Sequence, residues 1–375
     1  MSTPHAGRPA VAFYISGHGF GHASREIETI NAVASLGLDC EIVVRTSAAR
    51  WLFDRTVRAP FTWLDGPCDT GVVQIDSLQL DEAATIAQAA AFHRELPRRA
   101  EAEAAILRAH GARLVIADAP PLACAAAAVA DIPSIVLANF TWDWIYEGYP
   151  EPLAAEPALV PVIQTAYRET AEAWRLPLHG GFDAIDRVTD IPYIARHARH
   201  ERAHVRQTLS LPAARPLALS SFGGYGVRDL DPARLDCLGS IGVVITGHAS
   251  PGSLPAGVHF VDERRIYDAG LRYEDLVAAV DVVVTKPGYG IVSECIANET
   301  AMLYTSRGRF REYAVMVADM PRVLRCTFIP QQTLLEGCWL DALSEVLRLP
   351  PPPERPRTDG ADVAARMIAE RLGHP

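Results

Sequence analysis

The chain has 375 residues, of which 49% are apolar and 21% are charged, a composition that suits a globular protein of two or three domains. Its 35 basic and 45 acidic residues give a formal net charge of −10, which argues against non-specific binding to nucleic acid or to an anionic membrane. Seven cysteines without a C-x-x-C pair suggest neither a disulfide framework nor a zinc site. This cysteine usage favours a reducing cytoplasm as the compartment, and no signal peptide or integral membrane segment is predicted.

Short apolar runs alternate with helical patterns in the first part of the chain, which predicts a parallel sheet with helices on both faces. The pattern lapses in 151–192, a segment with several prolines that is predicted to be irregular. The predicted strands are 10–16, 41–46, 113–117 and 133–138, and the predicted helices are 22–36, 81–110 with a break near Pro97, and 122–130.

The alternation restarts after a helix predicted at about 197–209, so the fold class is α/β with two parallel-sheet units. The predicted domains are 1–199 and 200–356. A proline-rich segment then leads to a C-terminal helix within 357–375, which packs either on the first domain or on its own. The further predicted strands are 217–221, 241–246, 258–261, 281–285 and 301–305, and the further predicted helices are 273–280, 291–298 and 311–319.

A glycine-rich loop with two histidines, residues 16–25, follows the first predicted strand. Histidine at the carboxyl edge of a parallel sheet lies where ligands bind, so His22 is the predicted general base, with a helix cap or a hydrogen bond to the loop as the alternative. Asp118 ends another strand and would orient the imidazole, or else cap the next helix. A dinucleotide fingerprint is disfavoured, because His22 stands where its third glycine is expected.

A second strand–glycine loop–helix segment contains Lys286, the only lysine of the sequence. Backbone amides, the helix N-terminus and this ammonium group would together suit a diphosphate. Glu294 in the helix is predicted to bind ribose hydroxyls, with stabilisation of the helix dipole as the alternative. Gly223 and Gly224 form a further glycine loop that is expected to face the same site.

These motifs together resemble the GT-B glycosyltransferases. The His22–Asp118 pair is similar to the base dyad of inverting members, and residues 288–294 match a G-x-G-x-x-S-E donor motif. A closer resemblance, to the N-terminal, glycosyltransferase-like half of plant L-arabinokinase, covers nearly the whole chain. It is carried by 17–23, 73–76, 139–146, 222–224 and 286–294. The sequence has no G-L-G-S-S-S-A loop, so kinase activity is not implied, and it lacks the long donor signature of plant glycosyltransferases.

The resemblance implies two Rossmann-like domains facing each other across a cleft, with the acceptor on the first domain and a nucleoside-diphosphate sugar, a UDP-sugar by preference, on the second. It implies no cofactor and no metal. The donor-side candidates are Gly223, Gly224, Lys286, Gly288, Tyr289, Gly290, Ser293, Glu294, Arg309 and Glu312. The acceptor-side candidates are His18, Gly19, Phe20, Gln74, Asp76, Trp142, Asp143 and Trp144, the aromatic residues having interdomain packing as their alternative role.

Three functions remain open at this point. The first is a metal-independent, inverting glycosyltransferase with His22 as base. The second is a nucleotide-sugar epimerase of the same fold, which needs further acid–base carboxylates in the cleft. The third is a non-catalytic nucleotide-sugar-binding protein, which needs Lys286 and Glu294 but no dyad. The acceptor, the sugar and the oligomeric state are not specified by the sequence.

Overall fold

The structure is a computed structural model that describes residues 8–223, 226–227, 229–247 and 252–373. Its strands form two main sheets, and we call the units that carry them the first half and the second half. Among the helices of these described residues, none combines the length and the apolar character needed to cross a membrane.

The sheet of the first half is parallel throughout, and its central strands are buried on both faces, which explains their nearly continuous apolar sequences. Its spatial order is β3-β2-β1-β6-β7-β8-β9, and an antiparallel hairpin, β4-β5, stands apart from it. The strands are β1 (Ala10–Ile15), β2 (Glu41–Thr46), β3 (Thr62–Asp65), β4 (Val73–Gln74), β5 (Leu80–Asp81), β6 (Ala112–Asp118), β7 (Ser134–Phe140), β8 (Glu172–Gly180) and β9 (Val188–Asp190).

Helices cover both faces of this sheet. The first helix begins at Gly19, three residues before the predicted start, because Gly19 turns the chain into the helix with a φ of +74°. The break near Pro97 occurs as predicted, with Pro97 in the first turn of the second segment. The helices are α1 (Gly19–Ser35), α2 (Arg50–Thr56), α3 (Glu82–Arg94), α4 (Leu96–Ala109), α5 (Pro121–Ala130), α6 (Trp142–Tyr146), α7 (Pro150–Leu153) and α8 (Leu159–Arg168).

The second half repeats this architecture with the spatial order β12-β11-β10-β13-β14-β15, again all parallel. Its strands are β10 (Leu217–Ser220), β11 (Gly242–Gly247), β12 (Val258–Asp262), β13 (Val282–Thr285), β14 (Ala301–Tyr304) and β15 (Cys326–Phe328). Its helices are α9 (Arg202–Thr208), α10 (Glu263–Asp268), α11 (Tyr273–Ala279), α12 (Tyr289–Ala297), α13 (Arg311–Val323), α14 (Gln331–Leu335) and α15 (Leu340–Arg348), with a 3-10 helix at Pro232–Leu238.

Two sequence-based assignments were wrong. The segment 151–192, predicted to be irregular, contains α8, β8 and β9, and its Pro177 lies where the register between β7 and β8 shifts, a position that a strand proline tolerates. The helix predicted at 197–209 begins only at Arg202. The preceding amides of Ala198 and Arg199 donate instead to the side chains of Asn298 and Asp275.

The C-terminal helix α16 (Gly360–Arg371) crosses back and packs on α1 of the first half, which is one of the two positions left open by the proline-rich segment before it. Ala364 and Ile368 are fully buried in the same cluster as Ile27 and Ile30. An isolated bridge between Ile194 and Asp359 joins the two segments that pass between the halves. The domain boundaries at 199/200 and 356/357 stay a prediction.

We expect Ile368→Ala to lower the free energy of unfolding by roughly 2–5 kcal/mol, because it leaves a cavity between α16 and α1. Arg366→Ala, on the exposed face of the same helix, is the matched control and should change stability little. Chemical denaturation of both variants checks this. Equal losses would show that α16 does not bury this face against α1.

Candidate functional site

A cavity of about 370 Å³ lies between the two halves, at the edges where the strands of both sheets end. Helices α1 and α12 begin there and approach closely, since a Cβ on Gly290 would lie 3.4 Å from the Gly21 Cα. Strand ends and helix N-termini both present backbone groups to ligands, which makes this cavity the candidate site. The side chains that line it include His18, Phe20, His22, Arg25, Asn139, Phe222, Lys286, Tyr289, Arg307 and Glu312.

His22 and Asp118 meet as the sequence predicts. Strands β1 and β6 are neighbours in register, with Ile15 beside Asp118, so the start of α1 lies over the end of β6. The imidazole Nδ1 lies 3.0 and 3.1 Å from the two carboxylate oxygens of Asp118. Asp118 is fully buried, whereas His22 lines the cavity. A carboxylate on Nδ1 favours the tautomer whose Nε2 can accept a proton.

A buried arginine keeps Asp118 ionised. Burial alone would raise the pKa of this carboxyl, but the charges of Arg25 and His22 outweigh burial and hold it below its usual range. The guanidinium of Arg25 donates to Asp118 and, at 2.9 Å, to the side-chain oxygen of Asn139. The amide of Asn139 in turn donates to Glu312 of the second half, at 2.6 Å. Neither Arg25 nor Asn139 was predicted as a site residue, although Arg25 ends the glycine-rich loop 16–25 and Asn139 begins the segment 139–146.

His18 contributes a neutral ring to the cavity. Burial, followed by the charges of His22, Arg307 and Lys286, holds its pKa well below the usual value. Its close packing needs a glycine at position 71, where φ is +58° and a Cβ would lie 2.7 Å from the His18 Cβ. His18 is therefore a hydrogen-bonding group, not a cation, at neutral pH.

The second half presents positive charge to the cavity. Lys286 lies between β13 and α12. Burial and the nearby charge of Arg307 lower its pKa to about 7, although the charge of Glu312 opposes this shift. Arg307 follows β14 and is buried, with its guanidinium 4.2 Å from the ring centre of Phe310. Arg307 was not predicted as a site residue, and its place just beyond the end of a strand was the available signal.

Glu294 lines the cavity but is already paired. Its carboxylate accepts from Arg196, whose Nε lies 2.7 Å away, and Arg196 also lies 3.3 Å from Glu274. Burial, together with the charge of Glu274, raises the pKa of Glu294 to about 7 even though Arg196 opposes this shift. A contact with ribose therefore competes with this ion pair, and the ribose role stays a prediction.

The other predicted residues divide by position. Gly19, Phe20, Gln74, Gly223, Gly288, Tyr289, Gly290 and Glu312 line the cavity with His18 and Lys286, whereas Gly224 lies outside the described residues. Ser293 is buried beneath the loop and donates to the Gly290 carbonyl. The structure does not bring Arg309, Asp76, Trp142, Asp143 or Trp144 to the cavity.

Local packing explains these exceptions. Arg309 is exposed and pairs with Glu82 and Glu151. Asp76 accepts from the amides of Leu78 and Gln79 and so closes the turn between β4 and β5. Trp142 and Asp143 are buried, and Trp144 packs against Gly180 and Gly181 and beneath the guanidinium of Arg311. Trp144 therefore contacts the second half through Arg311, whereas Trp142 donates to Asp69 within the first half.

Asp69 is a second carboxyl group behind the dyad that nothing in the sequence marked. It accepts from the Ser16 hydroxyl at 3.0 Å and from the Trp142 indole at 2.8 Å. Burial raises its pKa to about 6, against the lowering effects of His22 and these hydrogen bonds. Among the described residues, no group of three or more His, Cys, Asp or Glu side chains is arranged to hold a metal ion.

Two Rossmann-like sheets facing one cleft define the GT-B fold, and comparison with solved structures confirms this fold for the chain. The calicheamicin glycosyltransferase CalG4 superposes with a TM-score of 0.63 at 17% identity, covering 98% of this chain and 99% of that one. UGT2 of Phytolacca americana, solved with UDP-2-fluoro-glucose and pterostilbene, has a TM-score of 0.60 at 11% identity and covers 96% and 94%.

The sequence itself is similar to L-arabinokinase of Arabidopsis thaliana, with 29% identity across 96% of this chain. This finding confirms the resemblance drawn from the motifs. The chain spans only 34% of the length of that relative, so the activity of the whole relative is not carried over. No family model matches the chain.

The pKa of Asp69 predicts a measurable pH dependence. A carboxyl whose folded pKa is about 6, against 3.8 unfolded, binds a proton in the folded state first, so its contribution to stability falls as the pH rises from 4 to 6. From pH 4 to pH 6 we expect the free energy of unfolding of Asp69→Asn to rise by roughly 3 kcal/mol relative to that of the wild type. Asp65→Asn, at the exposed end of β3 four residues earlier, is the control. Parallel stability curves for wild type and Asp69→Asn would contradict the raised pKa.

Proposed function

We propose that this protein is a glycosyltransferase that moves a sugar from a nucleoside diphosphate to an acceptor hydroxyl, with inversion at the anomeric carbon and without a metal ion. The observation that carries the proposal is the pairing of two sites across one cavity. The His22–Asp118 pair lies on one wall, and Lys286 with the N-terminus of α12 lies on the other.

The first wall supplies the base. His22 Nε2 takes the proton of the acceptor hydroxyl as its oxygen forms a bond to the anomeric carbon, and the imidazolium is stabilised by Asp118. The bond between that carbon and the diphosphate oxygen breaks in the same displacement, and the nucleoside diphosphate leaves with the electron pair. A single displacement inverts the configuration at the anomeric carbon.

The second wall receives the leaving group. Lys286, Arg307 and the amides of the first turn of α12 present positive charge, and among the residues that the structure describes Glu312 is the carboxylate that opposes the charges of Lys286 and Arg307. A diphosphate fits this excess of positive charge, and the developing negative charge would be stabilised without a divalent cation. This balance supports the metal-independent mechanism.

A UDP-sugar is the proposed donor. Support comes from the fold, since a structural neighbour has been solved with UDP-2-fluoro-glucose. The aromatic residues Phe222, Tyr267 and Tyr273 line the part of the cavity formed by the second half, where a base would stack. Arabinose phosphorylation is not proposed, because the similarity covers 34% of L-arabinokinase.

Binding of UDP should depend on the protonation of Lys286. Because its pKa is about 7 in the free protein and a bound diphosphate must raise it, UDP binding takes up a proton and weakens as the pH rises from 7 to 9. Titration calorimetry in buffers of different ionisation enthalpy measures both effects. Lys286→Ala should abolish the proton uptake and weaken binding roughly 10- to 100-fold.

Arg322→Ala, an exposed arginine on the far end of α13, is the control for a lost positive charge and should bind UDP like the wild type. A wild-type affinity that is constant from pH 7 to 9 would contradict the role of the Lys286 ammonium. If UDP does not bind measurably but another nucleoside diphosphate does, the proposed uridine nucleotide is wrong and the proposed diphosphate site is retained.

Turnover should depend on His22. A screen of nucleotide-sugars and hydroxyl acceptors, followed by nucleoside diphosphate release in the presence of EDTA, supplies the assay. His22→Ala should then lower turnover by roughly 10²–10⁴-fold, the contribution of a general base, and leave UDP affinity unchanged. Asp118→Asn should cost the same or less, because the base remains.

Because α1 begins at Gly19, His22 lies within the helix and does not cap it, and a purely structural role for this residue predicts a lower melting temperature with unchanged turnover per folded molecule. Loss of activity in EDTA with recovery in magnesium or manganese would contradict the metal-independent step. Binding of UDP-sugars without turnover for any acceptor would favour the non-catalytic binding protein.

A further inference from the structure

Arg25 has an unusual position for an arginine in a binding cleft. It sits on the second turn of α1, only 5% exposed, and its two terminal nitrogens are committed to different partners. One donates to Asp118, and the other lies 2.9 Å from the side-chain oxygen of Asn139 at the end of β7. Its guanidinium carbon also lies 5.1 Å from the ring centre of Tyr289 in the first turn of α12. A planar fork of this kind fixes two partners in one geometry, which an ammonium cannot do.

The charges around Asp118 show why this fork matters. Asp118 is faced by His22, Arg25 and Glu26 from α1, by Asp69 from the loop after β3, and by Tyr289 from α12. The carboxyl oxygens of Glu26 have no hydrogen-bond partner among the described residues, and burial followed by the charge of Asp118 raises its pKa well above the usual value. The two neighbouring carboxyl groups, Glu26 and Asp69, cannot offset the negative charge of Asp118. Arg25 is the permanent cation beside it.

The contacts continue across the cleft. Asn139 donates at 2.6 Å to Glu312, which lies in the first turn of α13 in the second half and interacts with the charges of Lys286 and Arg307. An unbroken series of hydrogen bonds therefore joins His22, Asp118, Arg25, Asn139 and Glu312. It passes from the predicted base on one wall to the predicted diphosphate and sugar site on the other.

We propose that Arg25 is a positioning residue that keeps Asp118 anionic and couples the His22–Asp118 pair, through Asn139 and Glu312, to the donor-binding wall of the second half. This inference rests on the proposed function, because that function makes His22 a base and the opposite wall a donor site. Its electrostatic part concerns only the His22–Asp118 pair. Two contacts of this series cross the cleft: the Arg25 guanidinium lies against the Tyr289 ring, and Asn139 donates to Glu312. Separation of the halves removes both and leaves Arg25 bonded to Asp118 and Asn139 within the first half, so the fork is fully held only beside a complete donor wall.

The electrostatic part is tested without any substrate. NMR of the protein labelled with ¹⁵N-histidine follows the tautomer and the protonation of His22 with pH, and Arg25→Gln removes the cation while keeping a hydrogen-bonding side chain. The pair should take up its proton at a pH higher by roughly one to three units, because an opposite charge close to a carboxylate is worth that much. Arg25→Lys keeps the charge and should titrate close to the wild type. Arg206→Gln, which alters a buried arginine bound to backbone carbonyls far from the cavity, is the control and should leave the His22 titration unchanged.

A His22 titration that is the same in wild type and Arg25→Gln would overturn the proposal. If Arg25→Gln does not fold, the electrostatic role of Arg25 is tested on the wild type alone. The ¹³C shift of the Asp118 carboxyl should then remain that of an ionised group at about pH 5, and a protonated carboxyl at that pH would overturn the role of Arg25.

The coupling part is tested with Asn139→Leu, which cuts the link to Glu312 and leaves the contact of Arg25 with Asp118 in place. Its His22 titration should match the wild type, whereas kcat should fall about tenfold or more with a smaller change in donor KM, as expected when a base is misplaced. An unchanged kcat would overturn the coupling. Failure of the wild type to bind any nucleoside diphosphate would sink the proposed function instead, and the NMR result would stand apart from it.

Discussion

The site depends on one buried charge. Asp118 has no solvent exposure, and an isolated carboxylate in such a position would take up a proton rather than stay ionised. Arg25 and His22 supply the opposing charge and hydrogen bonds, so the carboxylate can orient the imidazole. Both partners come from the first two turns of α1, which makes the start of this helix at Gly19 a condition for the site. The packing of α16 on α1 then ties that helix to the C-terminal end of the chain.

The opposite wall has the complementary imbalance. Lys286 and Arg307 bring more positive charge to the cavity than Glu312 offsets, and the low pKa of Lys286 reflects the cost of holding that excess in a partly buried position. A bound diphosphate would relieve this cost. The two walls thus differ, since the charges of Asp118, His22 and Arg25 offset one another on the first, whereas the second carries a surplus of basic groups. This asymmetry is what the proposed arrangement of an acceptor site facing a donor site requires.

The sequence predicted the parts of the site that depend on local pattern and sheet topology. Neighbouring strands of a parallel sheet end at one edge, so the motif after β1 and the aspartate that ends β6 had to come close. The pairing of Glu294 with Arg196 could not be predicted, because Arg196 lies in the segment between the halves and reaches α12 only through the tertiary fold. Trp142 and Trp144 failed as cavity residues for another reason. Aromatic side chains serve equally as core, and only packing decides between the two roles.

The most direct test of this account is a crystal structure of the protein with UDP. The diphosphate oxygens should lie within hydrogen-bond distance of Lys286 Nζ and of the first-turn amides of α12, on the side of the cavity that faces the His22 imidazole. The same structure should retain the contact between His22 and Asp118. Density for UDP on another surface, or a diphosphate directed away from Lys286 and His22, would contradict the claim that the cavity between α1 and α12 is the site of sugar transfer.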